Sequence, residues 1–139
     1  MIERQNWNTA IIDEFRANGG RVGGPFAGTP LLLLHHVGAN SGLVRVTPLA
    51  YTLDGDGRYV IVASNGGSPT HPGWYHNLKA NPVVEVEVGS KTFMVRADEL
   101  TDAARRPLWT KLLAASPSLR EYEAKTARHI PVFTLTPRP

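Results

Sequence analysis

Apolar residues run together or alternate through the middle of this chain, and take up helical spacing near its two ends. Trp7, Ile11, Ile12 and Phe15 share one face of a helix that Gly19-Gly20 ends. Leu31 to Val37 is apolar on both faces, which predicts a buried strand. A turn at Gly38-Ala39-Asn40-Ser41-Gly42 leads to a long strand, Leu43 to Leu53, and Asp54-Gly55-Asp56-Gly57 reads as a hairpin turn. Tyr59 to Ser64 is another buried-type strand. Val83 to Val88 alternates, with Val84, Val86 and Val88 on one face and Glu85 and Glu87 on the other, so one face meets solvent. Gly89-Ser90 then turns the chain back along Lys91 to Ala97.

Helical spacing returns at Leu108, Trp109, Leu112 and Leu113, within a helix expected over Asp102 to Ala115 that Pro107 kinks or begins. Ser118 and Glu121 are spaced as a capping box for a further helix reaching about Arg128, and Val132 to Thr136 closes the chain as a strand. Successive hairpins without a strand-helix-strand rhythm argue against a doubly wound sheet. They predict an α+β fold: a small antiparallel β-barrel with helices packed on it, and its ligand at the mouth or in a groove. With 139 residues, one domain is expected over 1–139, an N-terminal helix and loop (1–30) followed by the barrel and its helices (31–139).

Composition narrows the chemistry. The net charge of +3 is too small to argue for nucleic acid. The chain has no cysteine, which removes disulfides, thiolate metal sites and a Cys nucleophile. The uninterrupted apolar run Leu31 to Leu34 is far short of a membrane span. The expectation is a soluble intracellular protein, cytoplasmic or held peripherally at the inner face of the membrane.

The stretch Ser64 to Pro82, SNGGSPTHPGWYHNLKANP, concentrates the functional signal. Its glycines let a flat ligand approach the backbone. Trp74 and Tyr75 offer ring surface and Asn77 an amide, on a short helix from Pro72 to Ala80. Aromatics on such helices are more often core, and both readings stand for Trp74 and Tyr75. His35 and His36 are adjacent on a strand and point to opposite faces, and at least one is a core or pocket-lining imidazole. No HExxH spacing supports a metal site, and no G-x-S-x-G elbow supports a serine hydrolase. Arg45 follows a turn whose N–H groups could hold an anion, and it reads equally as a solvated strand-end arginine. Lys79 reads more naturally as a solvated helix residue.

Taken together, these segments resemble the deazaflavin-dependent nitroreductase family, whose fold is an FMN-binding-type split β-barrel. The matching residues are His36-Val37-Gly38 through Ser41-Gly42, Arg45, Thr47-Pro48-Leu49, Ala63-Ser64-Asn65-Gly66-Gly67, the block His71 to Pro82, and the block Tyr122 to Val132. The resemblance implies coenzyme F-420, a deazaflavin hydride carrier with a ribityl chain, a phosphate and an oligoglutamate tail, in preference to FMN.

It also implies roles for particular residues. Ala63, Ser64, Asn65, Gly66 and Gly67 would lie along the deazaflavin, Thr47 and Pro48 would line the ring pocket, and Arg45 would meet the phosphate. Trp74, Asn77 and Lys79 would stand beside the cofactor. Tyr122 would face the acceptor as the catalytic residue. The implied activity is hydride transfer from the reduced deazaflavin to an electron-poor small molecule: a quinone, a nitro compound or an enone. A binding module of the same barrel, holding a flavin, haem or fatty-acid-like ligand, is the alternative. The oligomeric state is left open between monomer and homodimer. The chain departs from the family at Ala39-Asn40, where a basic pair is usual, at Asn65, where some members carry lysine, and at Ser116 and Leu119, where some carry tyrosines.

Overall fold

In a computed structural model of the protein, residues 2–138 are described, without the side chains of residues 2–7, Pro25 and Gly66. The expected place of Trp7 in the first apolar stripe therefore lies outside the described residues. The chain forms α1 (Ile2–Ala17), β1 (Leu31–Val37), β2 (Val44–Ala50), β3 (Thr52–Leu53), β4 (Tyr59–Val62), α2 (Gly73–Ala80), β5 (Val83–Val88), β6 (Lys91–Glu99), α3 (Asp102–Ala115), α4 (Pro117–Lys125) and β7 (Val132–Pro137).

One antiparallel sheet runs in the order β2-β1-β5-β6-β7-β4-β3. The two edge strands, β2 and β3, are separated in sequence only by Tyr51. A sheet whose opposite edges are one residue apart must curl until those edges meet, and this is the split barrel. The stretch expected as one strand from Leu43 to Leu53 is thus two. It breaks because its first half pairs with β1 and its second half with β4.

Alternation along each strand sends one set of side chains inward. Leu32 and Leu34 from β1, Val84 and Val86 from β5, Val95 and Ala97 from β6, and Phe133 and Leu135 from β7 fill the barrel with Trp74 and Leu78 of α2. The opposite face of β1 sends Leu31 and Leu33 against Ile11 and Phe15 of α1. Burying residues on both faces explains the unbroken apolar run of β1. A third cluster joins α3 and α4 to the sheet through Trp109, Leu112, Leu119, Val60 and Val132.

The last helix departs from expectation. α4 starts at Pro117, after Ser116 and without a side-chain cap, and ends at Lys125, short of Arg128. Proline at the first helical position presets φ, so the Ser118/Glu121 capping box is not used. α3 spans Asp102–Ala115 as expected, with Pro107 inside it, and its start is set by Thr101, which accepts from the N–H of Ala104 at 3.3 Å.

The two histidines of β1 part as their adjacency requires. His35 lies 2.6 Å from the Glu87 carboxylate, which also receives two bonds from Arg16 of α1 at 3.0 and 2.7 Å. This ties the N-terminal helix to the outside of the sheet. His36 is buried on the other side, at the barrel mouth.

Candidate functional site

The mouth opens into three adjoining cavities that share lining residues and form one groove. The middle one, 510 Å³, lies between Asn8, His36, Thr47, Asn65, His71 and Trp74. Beyond Asn65 and Trp74 lies a 490 Å³ space walled by Phe26, Pro48, Leu49, Val62, Ser64 and Ser68. On the other side, past His36 and Gly73, a 440 Å³ space is bounded by Gly38 to Ser41, Arg45, His76 and Asn77. The groove thus has aliphatic and aromatic walls with a serine and amide edge at one end, amides and imidazoles in the middle, and Arg45 at the other end.

The loop after β4 forms one wall. Asn65–Gly67 makes a 3-10 turn. Among the described residues other than glycine, Asn65 alone has a positive φ, 47°. Such strain persists where the surroundings hold it. Here the Asn65 side-chain amide donates to the carbonyl of Thr70 at 3.1 Å. Gly67, at φ +82°, lies so close to α4 that an added Cβ would come within 3.0 Å of the Tyr122 Cα.

Arg128 holds the same loop from outside. It donates to the carbonyls of Ser64 and Ser68 at 2.8 and 2.9 Å, and to His71 Nδ1 at 3.0 Å. Burial and the Arg128 charge keep the His71 pKa below its ordinary value, so His71 offers a neutral acceptor to the guanidinium.

At the other wall, His36 is bonded at both ring nitrogens. The Asn77 side chain lies 2.8 Å from Nδ1 and the Thr47 hydroxyl 2.8 Å from Nε2. The Asn77 carbonyl oxygen accepts from the N–H of Ala39 at 2.9 Å. Burial, with smaller contributions from Arg45 and His35, lowers the His36 pKa to about 4. The imidazole is neutral at ordinary pH. Arg45 is exposed, pairs across the strands with His36, and makes no ion pair among the described residues.

The expected residues separate into those the structure gathers and those it does not. Thr47, Pro48, Ser64, Asn65, Trp74, Asn77 and Arg45 line the groove. Ala63 is buried beneath it, and Gly66 and Gly67 fall in the 3-10 turn. Trp74 combines both readings: it packs edge-on against Phe133 in the core and walls the groove.

Lys79 stands elsewhere. It binds Glu99 of β6 at 2.9 Å, next to the Tyr75 hydroxyl, because it lies about 200° around α2 from Asn77. The Tyr122 ring packs on the α3–α4 cluster, and its backbone backs Gly67. The Ala39 N–H, expected as part of an anion nest, is taken by Asn77, while no described hydrogen bond uses the N–H of Asn40 or Ser41.

Sequence reasoning assigned no site role to Arg128 or His71. It also treated the N-terminal segment as separate, although Asn8 and Phe26 reach the groove. The signal for Arg128 was its place in the Tyr122–Val132 block; its partners lie about 60 residues away.

A split barrel with a long groove, open at its mouth and bordered at one end by Arg45, is the class of fold and site that this chain presents. Comparison with known proteins narrows the class. The family model for F420H(2)-dependent quinone reductase matches residues 7–137, and the chain belongs to that family. It is 47% identical over 131 residues to an F420H(2)-dependent quinone reductase of Mycobacterium tuberculosis strain H37Rv, covering 89% of this chain and 85% of that one.

Among solved structures, it resembles an F420-H2 dependent reductase, with a TM-score of 0.67 and 43% identity over 76% of this chain and 93% of that one. A second, described as a domain-swapped dimer, matches with a TM-score of 0.70 and 37% identity over 95% and 98% of the two chains. The chain is accordingly an oxidoreductase of the F-420-dependent class, not a passive binding module. No helix among the described residues is long and apolar enough to cross a membrane.

Proposed function

We propose that the protein passes a hydride from reduced coenzyme F-420 to a quinone, with the groove as the cofactor site. The single observation behind this reading is the groove's division. Pro48, Leu49, Val62 and Trp74 suit the ring. Thr47 and the Ala63–Gly67 loop suit its polar edge. Arg45, with the N–H groups of Asn40 and Ser41, suits the phosphate. Among the described residues Arg45 has no carboxylate partner, so its charge is available to a ligand. With Ala39-Asn40 in the turn, the cationic work there falls to Arg45, and Lys79 is left to Glu99.

When bound, the deazaflavin supplies the hydride; the protein positions, screens and protonates. A quinone that takes a hydride and then a proton becomes the hydroquinone. We assign Tyr122 the donor role on the acceptor side, since its hydroxyl has no partner among the described hydrogen bonds. The edge residues Leu43, Val44 and Leu53 are exposed, and one similar structure is described as a domain-swapped dimer, so a homodimer is the assembly to test first.

The decisive experiment is a titration with F-420, its phosphate-less chromophore and FMN, read by tryptophan fluorescence, since Trp74 walls the groove. F-420 binding more tightly than FMN is expected. FMN copurifying stoichiometrically, with no saturable F-420 binding, would overturn the assignment.

A further inference from the structure

The hydrogen bonds at the barrel mouth form a chain whose direction can be worked out atom by atom. A backbone N–H can only donate, so the Ala39 N–H fixes Oδ1 of Asn77 as the atom it meets. The other end of that amide is then Nδ2, a donor only, and it meets His36 Nδ1. A neutral imidazole that accepts at Nδ1 carries its proton at Nε2. Nε2–H therefore donates to Thr47 Oγ1. A hydroxyl has one proton, and Thr47 is left to spend it in the groove that it lines.

We propose that Thr47 is a one-way hydrogen-bond donor to the bound deazaflavin, its polarity set by the Ala39 N–H through the positioning residues Asn77 and His36. The proposal rests on the cofactor reading above. A donor held in this way serves an acceptor atom, such as a ring carbonyl oxygen or an unprotonated ring nitrogen. It leaves an N–H at the same place without a partner. The site thus selects a ring edge that accepts.

The chain also needs His36 to stay neutral, and its surroundings keep it so. Arg45 on β2 disfavours a second positive charge. His76 of α2 and His71 before it line the neighbouring parts of the groove, and His35 lies on the far face of the same strand. From β5, Val84 and Val86 bring no charge.

Asn77→Asp separates a directional chain from mere packing. A carboxylate still accepts from the Ala39 N–H but cannot donate to Nδ1. His36 must then carry a proton at Nδ1, and the negative charge raises its pKa. While doubly protonated, it still donates to Thr47. Once neutral, it holds its proton at Nδ1, and Nε2 takes the Thr47 proton away from the groove.

The test has two arms. In ligand-free, 15N-histidine-labelled wild type, long-range proton–nitrogen spectra are expected to show His36 neutral and protonated at Nε2 from pH 5.5 to 8.5. In F-420 titrations, Thr47→Ser should match wild type, while Thr47→Val should bind roughly tenfold more weakly or worse. The deficit of Asn77→Asp should grow as pH rises, against a flat wild-type ratio. A proton at Nδ1 in the wild type would overturn the chain without any variant having to fold. Unchanged affinity in Thr47→Val, or a pH-independent deficit in Asn77→Asp, would overturn the donor role. Failure of the cofactor reading looks different: wild type shows no saturable F-420 binding while His36 still shows its proton at Nε2, and the ligand half of the proposal falls with it.

Discussion

Arg128 Nη2 donates to the carbonyl of Ser64 at 2.8 Å, and with this bond the segment after α4 holds the groove loop from behind. Nε and Nη1 bind Ser68 and His71, so one side chain fixes both ends of the stretch that contains the strained Asn65. Burial holds the guanidinium pKa below its ordinary value, but it remains a cation.

Arg128→Ala should therefore loosen the loop without unfolding the barrel. Losing charge-assisted bonds to two carbonyls is expected to cost F-420 binding about 1.5–3 kcal/mol. Amide hydrogen exchange over residues 64–71 should quicken, while β1 and β5 keep their protection. Arg128→Lys should recover only part of the affinity, because one ammonium cannot span three acceptors with the guanidinium's fixed fork. Equal exchange in wild type and Arg128→Ala would show that the loop holds itself.

Arg45→Ala should weaken F-420 more than it weakens the phosphate-less chromophore. A bidentate guanidinium–phosphate contact is worth about 1.5–3 kcal/mol, and the chromophore cannot make it. Lower salt should strengthen the full cofactor, since Arg45 is exposed and its attraction is screened. Equal losses for both ligands would make Arg45 a structural strand residue.

Tyr122→Phe tests the acceptor side. The ring packs on the cluster that includes Leu119 and Trp109, and phenylalanine keeps that packing, so the melting temperature should not move. The expected result is slower reoxidation of F-420 by menadione with an unchanged cofactor dissociation constant, since charge developing on the acceptor oxygen loses its donor. Unchanged turnover would leave Tyr122 a packing residue behind Gly67.

His36 gives the stability a pH dependence of definite sign. Its pKa falls from 6.5 to about 4 on folding, mainly because it is buried. Between those values the unfolded chain binds a proton that the folded chain refuses. Stability from this group is therefore complete above the unfolded pKa of 6.5 and declines as pH falls toward 4, by up to about 3 kcal/mol. Urea unfolding from pH 4 to 7.5 should show this slope, and His36→Gln should flatten it. A wild-type slope no steeper than the variant's would contradict a buried neutral imidazole.

The sequence by itself determined most of the strands and the antiparallel hairpins. Those properties are local: the two-residue alternation of Val83 to Val88, the double-sided apolar run Leu31 to Leu34, the hairpin turns at Asp54–Gly57 and Gly89-Ser90. Adjacency alone was enough to send His35 and His36 to opposite faces.

What only the tertiary structure decided concerns partners distant in the chain. Barrel closure splits Leu43 to Leu53 into two strands, because each half has a different neighbour. A helix rotation turns Asn77 to His36 and Lys79 to Glu99, although the two residues are only two apart. Side-chain type says that an arginine can bind carbonyls, but not that Arg128 meets Ser64 and Ser68, since that depends on β4 and β7 lying side by side. Nor can composition say which way a threonine points its proton: at Thr47 that follows from a backbone N–H reached through two intervening side chains.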